Sequence, residues 1–220
     1  MATLSRSWDL SPEEAIALQK QLAAQVIRAA QLGPVKTVAG IDASYKEGLA
    51  QAAVVILAYP ELELIEYAVA RRPVSFPYVP GLLSFREAPA VLDALEKLSA
   101  RPDLLIFDGQ GIAHPRRLGI ASHLGLLVDL PAIGCAKSRL TGRYTEPGPK
   151  RGDFSPLIDR GETVGAALRT RPKTKPLFVS IGHRVDLPAS IDYVLNCCRR
   201  YRLPETTRWA HRVAGEGTAS

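Results

Sequence analysis

The stretch from Asp103 to Pro131, DLLIFDGQGIAHPRRLGIASHLGLLVDLP, constrains the fold more than any other part of the chain. Leu104, Leu105, Ile106 and Phe107 form an apolar run that stops abruptly at Asp108-Gly-Gln-Gly. A short continuous apolar run bounded by turn residues reads as a strand buried on both faces. Such a strand delivers one carboxylate, Asp108, to the end of a sheet. Gly109 and Gly111 then let the backbone turn sharply and approach another molecule without side chains in the way. His114, Pro115, Arg116 and Arg117 open a predicted helix near 116–128, with Leu118, Ser122, Gly125 and Leu126 on one face. An acid at a strand end, beside a glycine loop and a basic helix start, suits a metal that meets a phosphate. A turn aspartate between two turn glycines is the plainer alternative, so the other stretches must decide.

Taken in order, residues 1–10 are a loose lead-in, anchored if Trp8 and Leu10 are buried. Ser11-Pro12-Glu13-Glu14 is a helix start, with Ser11 as N-cap, Pro12 at the first helical position and Glu14 as capping-box partner. Ala15, Leu18, Leu22, Val26 and Ala29 extend that helix to Gly33-Pro34. Val35–Tyr45 reads as a strand whose alternation puts Val38, Gly40 and Asp42 on one face. Strands disfavour aspartate, and an unpaired buried carboxylate is costly. Asp42 is therefore either an edge residue facing water or a carboxylate neutralised by a cation. Leu49–Ala58 and Leu62–Arg71 are two more strands, joined at Tyr59-Pro60-Glu61, and an irregular segment follows from Pro73 to Gly81. Ser84–Ala100 is helical, with Phe85, Ala88, Val91, Leu92, Leu95 and Leu98 as its core stripe. Ala132–Cys135 is a short strand, and 138–152 reads as a mobile surface loop. Ile158–Leu168 and Leu177–Ile181 are strand candidates. Ile191, Val194, Leu195 and Cys198 mark a helix, and Pro204 opens the last one, which carries Trp209 and His211. The order β-β-β-α-β-α-β predicts an α/β fold: a mixed sheet, antiparallel meander first and parallel strands later, flanked by helices. With no internal repeat and no long linker, residues 1–220 are expected to form one domain.

Charge and cysteines narrow the setting. The 28 Lys+Arg against 22 Asp+Glu give a net charge of +6, which leans towards a polyanionic partner without establishing one. Cys135, Cys197 and Cys198 make neither a disulfide framework nor a zinc spacing. No basic region followed by an apolar run opens the chain, and no 18-residue apolar stretch occurs, so a cytoplasmic protein with no membrane span is expected.

Four features then converge. Asp42 lies in the first strand, Asp108 ends the fourth, Glu87 sits in the first turn of the intervening helix, and His211 is on the final helix. Hard divalent cations take oxygen ligands, often one or two protein carboxylates plus phosphate and water. Asp42 and Asp108 could hold one ion, with Glu87 and His211 binding a second or handling protons. Such a site polarises a phosphate and activates water for in-line attack. Lys137, just after the 132–135 strand, would steady charge developing on the phosphate, although taken alone it reads more readily as a solvated lysine.

The stretches VAGIDASY, FPYVPGLLSFRE, FDGQGIAHPRRLGIASHLG and IGCAKSRL, with the shorter TRWAH near the end, resemble the endonuclease V family of the ribonuclease H-like superfamily. They cover most of the region from 38 to 140. The resemblance implies a DNA repair endonuclease that recognises deaminated bases, chiefly hypoxanthine (deoxyinosine). It would hydrolyse the second phosphodiester bond 3′ to the lesion and leave a 5′-phosphate. It also implies magnesium, or manganese in its place, held by Asp42 and Asp108, with Glu87 as third catalytic acid and Lys137 and His211 in accessory positions. Tyr78 matches the wedge residue that fills the gap left by a flipped base, with Pro77 and Pro80 stiffening its loop. Leu83, Gly111 and Ile120 match positions lining the lesion pocket. Hypoxanthine presents O6 as acceptor and N1–H as donor, the reverse of adenine, so backbone groups can tell the two apart. His114 is expected to orient this loop or touch the strand, and Arg116 to meet phosphate. The partner implied is deoxyinosine-containing DNA, or inosine-containing RNA, bound by a monomer.

Two other classes compete. A non-cleaving inosine-binding module would lack a catalytic acid, yet all are present; an inosine-specific ribonuclease differs only in 2′-hydroxyl contacts that sequence does not reveal. A dehydrogenase loop fails because G-x-G-x-x-G would need glycine where His114 stands, and no G-x-S-x-G supports a serine hydrolase.

Overall fold

Strand β1 (Thr37–Lys46) alternates small and branched residues because a helix packs on each of its faces. The computed structural model describes residues 8–216. β1 pairs antiparallel with β2 (Leu49–Ala58), and β2 with β3 (Leu64–Pro73), giving the expected meander. On its other side β1 pairs in parallel with β4 (Leu104–Phe107), and β4 with β5 (Ala132–Ala136). The sheet then continues antiparallel through β8 (Leu177–His183), β7 (Glu162–Leu168) and β6 (Phe154–Asp159), in the order β3-β2-β1-β4-β5-β8-β7-β6.

Helices α2 (Leu83–Glu96) and α3 (Ile120–Val128) cover the face that presents Ala39, Ile41, Val54, Leu105 and Phe107. Helices α4 (Leu187–Asn196) and α5 (Glu205–Glu216) cover the other, with α5 seated on Ala53 and Val55. Helix α1 (Pro12–Ala23) packs by α3 and keeps the expected capping box between Ser11 and Glu14. Trp8 packs edge-on against Phe85 and beside His123, anchoring the start of the described chain.

Several expected boundaries move, each for a stated reason. Helix α1 stops at Ala23 instead of running to Gly33, because the next segment pairs with the turn after β8: the Ile27 N–H donates to His183 Nδ1, and its carbonyl accepts from the Arg184 N–H. Helix α2 ends at Glu96, four residues before Ala100. Arg116 and Arg117 do not open a helix; α3 starts at Ile120, and residues 114–119 form a turn in which Arg117 has positive φ. The predicted strand 158–168 is two strands, β6 and β7, folded about Arg160 and Gly161, both of which have positive φ. The 138–152 segment is irregular as expected, but it is tethered: Arg143 and Ile158 exchange both backbone hydrogen bonds, and Thr141 donates to Asp159. All three cysteines are buried and free. Among the described residues no helix is long and apolar enough to cross a membrane.

Candidate active site

β1 and β4 run in parallel register through Ile41 and Phe107, and the Asp108 N–H donates to the Ile41 carbonyl at 3.1 Å. Register therefore puts Asp42 and Asp108 side by side, pointing the same way, where the apolar interior stops. Two helices meet them from opposite faces. α5 brings His211, whose Nδ1 lies 3.1 Å from Asp42 Oδ2. α2 brings Glu87, which is buried and shares a hydrogen bond with Tyr45 of β1. From the end of β5, Lys137 makes a short ion pair with Asp108.

Electrostatics binds these groups into one cluster. Burial pushes the Glu87 carboxyl up to about 8; the negative Asp42 and Asp108 add to the rise, and the Tyr45 hydrogen bond opposes it. Glu87 therefore holds its proton more tightly than an ordinary carboxyl. Burial also raises Asp108, against the pull of Lys137. Among the described residues no three His, Cys, Asp or Glu side chains converge closely enough to hold an ion by themselves. Asp42 and Asp108, though, are already met by nitrogen groups, the Lys137 ammonium at Asp108 and the His211 imidazole at Asp42. Two neighbouring carboxylates that draw cations, with room beside them, fit a hard divalent ion whose remaining oxygens come from substrate and water.

That room is a cavity of about 530 Å³ running from Asp42 and Asp108 past Gly109, Gln110 and Ile120 to Leu83 and Tyr78. Tyr78 is 73% exposed at its mouth, with the Arg86 guanidinium 5.8 Å from its ring and 4.8 Å from the Tyr45 ring. Arg86 is itself held by donating to the Phe76 carbonyl. The loop behind Tyr78 ends in Gly81, with φ +80°, whose carbonyl accepts from Gln19 Nε2, His114 Nε2 and Arg116 Nη2. Pro80 is exposed beside it.

The sequence-predicted residues thus divide. Asp42, Glu87, Asp108, Lys137 and His211 come together at one sheet end, and Tyr78, Pro80, Leu83 and Ile120 edge the adjoining cavity. His114 is buried, with its Nε2 on the Gly81 carbonyl at the end of the Tyr78 loop; burial holds it down to about 4. Arg116 does not face outward to phosphate, because its guanidinium is used on Gly81 and Gln19. Gly111 lies inside, away from the cavity: its N–H donates to Ser180 Oγ, its carbonyl accepts from Gly119, and a Cβ there would collide with the Ile181 carbonyl. Gly109 and Gln110 line the cavity in its place. Tyr45, Arg86 and Gln19 escaped the sequence reading. Tyr45 and Arg86 sit inside the motif stretches, three and one residues from matched positions, whereas Gln19 gives no signal at all.

A mixed sheet that brings carboxylates to the ends of neighbouring parallel strands, with helices closing on them from both faces, defines an α/β protein of ribonuclease H-like architecture. The Endonuclease V family model matches residues 20–212. Endonuclease V of a Roseiflexus species is 58% identical over 215 residues, covering 98% of this chain and 97% of that one. The crystal structure of Endonuclease V from Streptomyces avermitilis superposes with a TM-score of 0.92 at 44% identity, covering 97% of this chain and 96% of that one. A Ciona intestinalis Endonuclease V, solved with a 23-mer DNA containing an inosine followed by a ribo-adenosine, gives 0.83 at 30% identity, over 94% of this chain and 98% of that one. The chain belongs to the Endonuclease V family and is a nuclease.

Proposed function

We propose that this protein, acting as one monomeric domain in the cytoplasm, nicks DNA at the second phosphodiester bond 3′ to deoxyinosine. The observation that carries the reading is the continuity of the cavity, which joins the Asp42–Asp108 pair to the exposed ring of Tyr78 without a break. A base flipped out beside Tyr78 reaches Leu83, Ile120 and the backbone of Gly109 and Gln110, while its own strand passes over the carboxylates. The ring of Tyr78 stands in the gap and recovers part of the unstacking energy.

Asp42 and Asp108 would hold a divalent cation, magnesium or manganese, which supplies Lewis-acid polarisation of the scissile phosphate and a more acidic bound water. Glu87, whose carboxyl burial raises, is placed to exchange a proton at the same end of the sheet. Lys137 is anchored on Asp108 and presents its ammonium to charge growing on the phosphate. His211, 76% exposed and oriented through Nδ1 by Asp42, leaves its Nε2 available to the leaving oxygen. The test is one cleavage assay with magnesium, comparing inosine in single- and double-stranded DNA and RNA. Nicking of inosine-containing DNA one nucleotide beyond the lesion supports the reading; cutting of RNA alone would turn it to the ribonuclease alternative, and binding without cutting to a recognition module.

A further inference from the structure

A second groove, of about 440 Å³, shares Lys137 with the Tyr78 cavity and is otherwise lined by Leu203, Glu205, Arg208, Trp209 and Arg212 together with His211. Its charge is positive, the lone carboxylate of Glu205 being taken up by Arg208, whose Nη1 donates to both Glu205 oxygens at 2.9 and 2.7 Å. With that grip the guanidinium carbon stands 3.4 Å over the ring centre of Tyr201, which is 48% exposed. A second pair repeats the theme, Arg212 standing 5.0 Å from the ring of Trp209. The loop carrying Tyr201 is clamped to the catalytic end of the sheet, because Arg202 donates to the carbonyls of Lys137, Lys175 and Pro176. Positive charge interleaved with flat, rigidly held surfaces is what single-stranded nucleic acid binds: phosphates meet the charge and bases stack on the planes.

We propose that this groove seats the strand 3′ of the break, with the Arg208–Tyr201 stack as a platform for the first bases beyond the scissile phosphate. The polarity rests on the nuclease reading: the lesion cavity and this groove meet at Lys137, the bond cut lies 3′ of the lesion, and a strand that passes Lys137 out of the lesion cavity into the groove is the 3′ arm. The groove thus holds the end that becomes the 5′-phosphorylated product. Arginine rather than lysine is needed at 208, since a guanidinium held on Glu205 through Nη1 still offers a planar surface to a ring, which an ammonium lacks.

The experiment measures, by fluorescence anisotropy, binding of 5′-phosphorylated oligothymidylates of increasing length to the full chain. Wild-type affinity is expected to rise with length. Tyr201→Ala and Arg208→Lys should each weaken the longer oligomers about tenfold, the scale of one base stack, whereas Tyr201→Phe keeps the ring and the affinity. Tyr67→Ala, an exposed tyrosine on β3, serves as control and should bind as wild type. Wild-type affinity for the longer oligomers in both Tyr201→Ala and Arg208→Lys would overturn the proposal. Nicking of an inosine-containing strand is scored in parallel. A wild type that binds through Tyr201 but nicks nothing keeps the groove and removes the nuclease reading. One that nicks, with product affinity indifferent to Tyr201, does the reverse.

Discussion

The Nε2 of His114 lies 3.0 Å from the carbonyl oxygen of Gly81, while the Nδ1 of the same ring accepts the Arg116 N–H at 3.1 Å. An imidazole that accepts at Nδ1 must carry its proton at Nε2, so His114 donates to Gly81 and stays neutral. The neutral form agrees with the depression of this group to about 4 by burial, with the nearby Arg116 adding to it. A buried histidine thus fixes one end of the loop that presents Tyr78.

Replacing His114 with alanine should slacken that loop without touching the carboxylates. One buried hydrogen bond is worth about 1 kcal/mol, so affinity for an inosine-containing duplex is expected to fall about fivefold. The decisive comparison is the nicking rate at saturating substrate, which should change far less than the affinity; equal losses in both would mean that His114 serves the chemistry instead.

Tyr78→Ala should weaken duplex binding more than single-strand binding, because only the duplex has a gap to fill. Stacking of about 1–3 kcal/mol per base sets the scale. Titration of both substrate forms decides it, and matched losses would remove Tyr78 from the wedge role.

Asp108→Asn keeps the side-chain shape and removes the charge that would retain a cation. Nicking with magnesium should disappear, while preference for inosine over adenine in a binding assay survives, since the cavity beyond Gly109 is unchanged. A mutant that cuts at a near wild-type rate would show the metal site to be misplaced.

Stability should decline in mild acid. His114 and His123 are both buried, and burial depresses each to about 4 from the ordinary 6.5. Between those values the unfolded chain binds protons that the folded chain refuses, so stability rises with pH and is lost as pH falls from about 6.5 towards 4. Each imidazole contributes a slope of up to about 1.4 kcal/mol per pH unit. Glu87, raised to about 8, works the other way by one proton, so the two imidazoles prevail only below about 6.5. Urea midpoints from pH 6.5 to 5 should drop in the wild type and drop less steeply in His123→Gln; parallel slopes would contradict neutral burial of His123.

The architecture was legible wherever pattern and packing agreed. The 104–107 strand matched its expected limits because an apolar run ending in Asp-Gly has few other ways to fold. Helix α1 was read ten residues too long because Val26 continues the apolar spacing, and nothing local reveals that Ile27 will spend its backbone on His183 and Arg184. The β6–β7 hairpin was missed because its turn at Arg160-Gly161 interrupts a stretch that otherwise reads as one run. In the candidate site, carboxylates stood out as acids where strands disfavour them. The roles of Arg116 and Gly111 depended on long-range partners, Gly81 and Gln19 for one and Ser180 and Ile181 for the other, which no local pattern announces.

Gly40 lies two residues before Asp42, and a Cβ at that position would run into the backbone of Thr206 in the first turn of α5. The helix therefore rests flush on the sheet at this point, and His211 stands little more than one turn further along the same rod. Thr206 is a fulcrum and His211 the end of a short arm. A single methyl group at 40 would act as a shim under that arm, lifting α5 and carrying His211 away from an Asp42 that remains rooted in β1. The pairing of His211 with Asp42 would be detuned by a residue that touches neither of them.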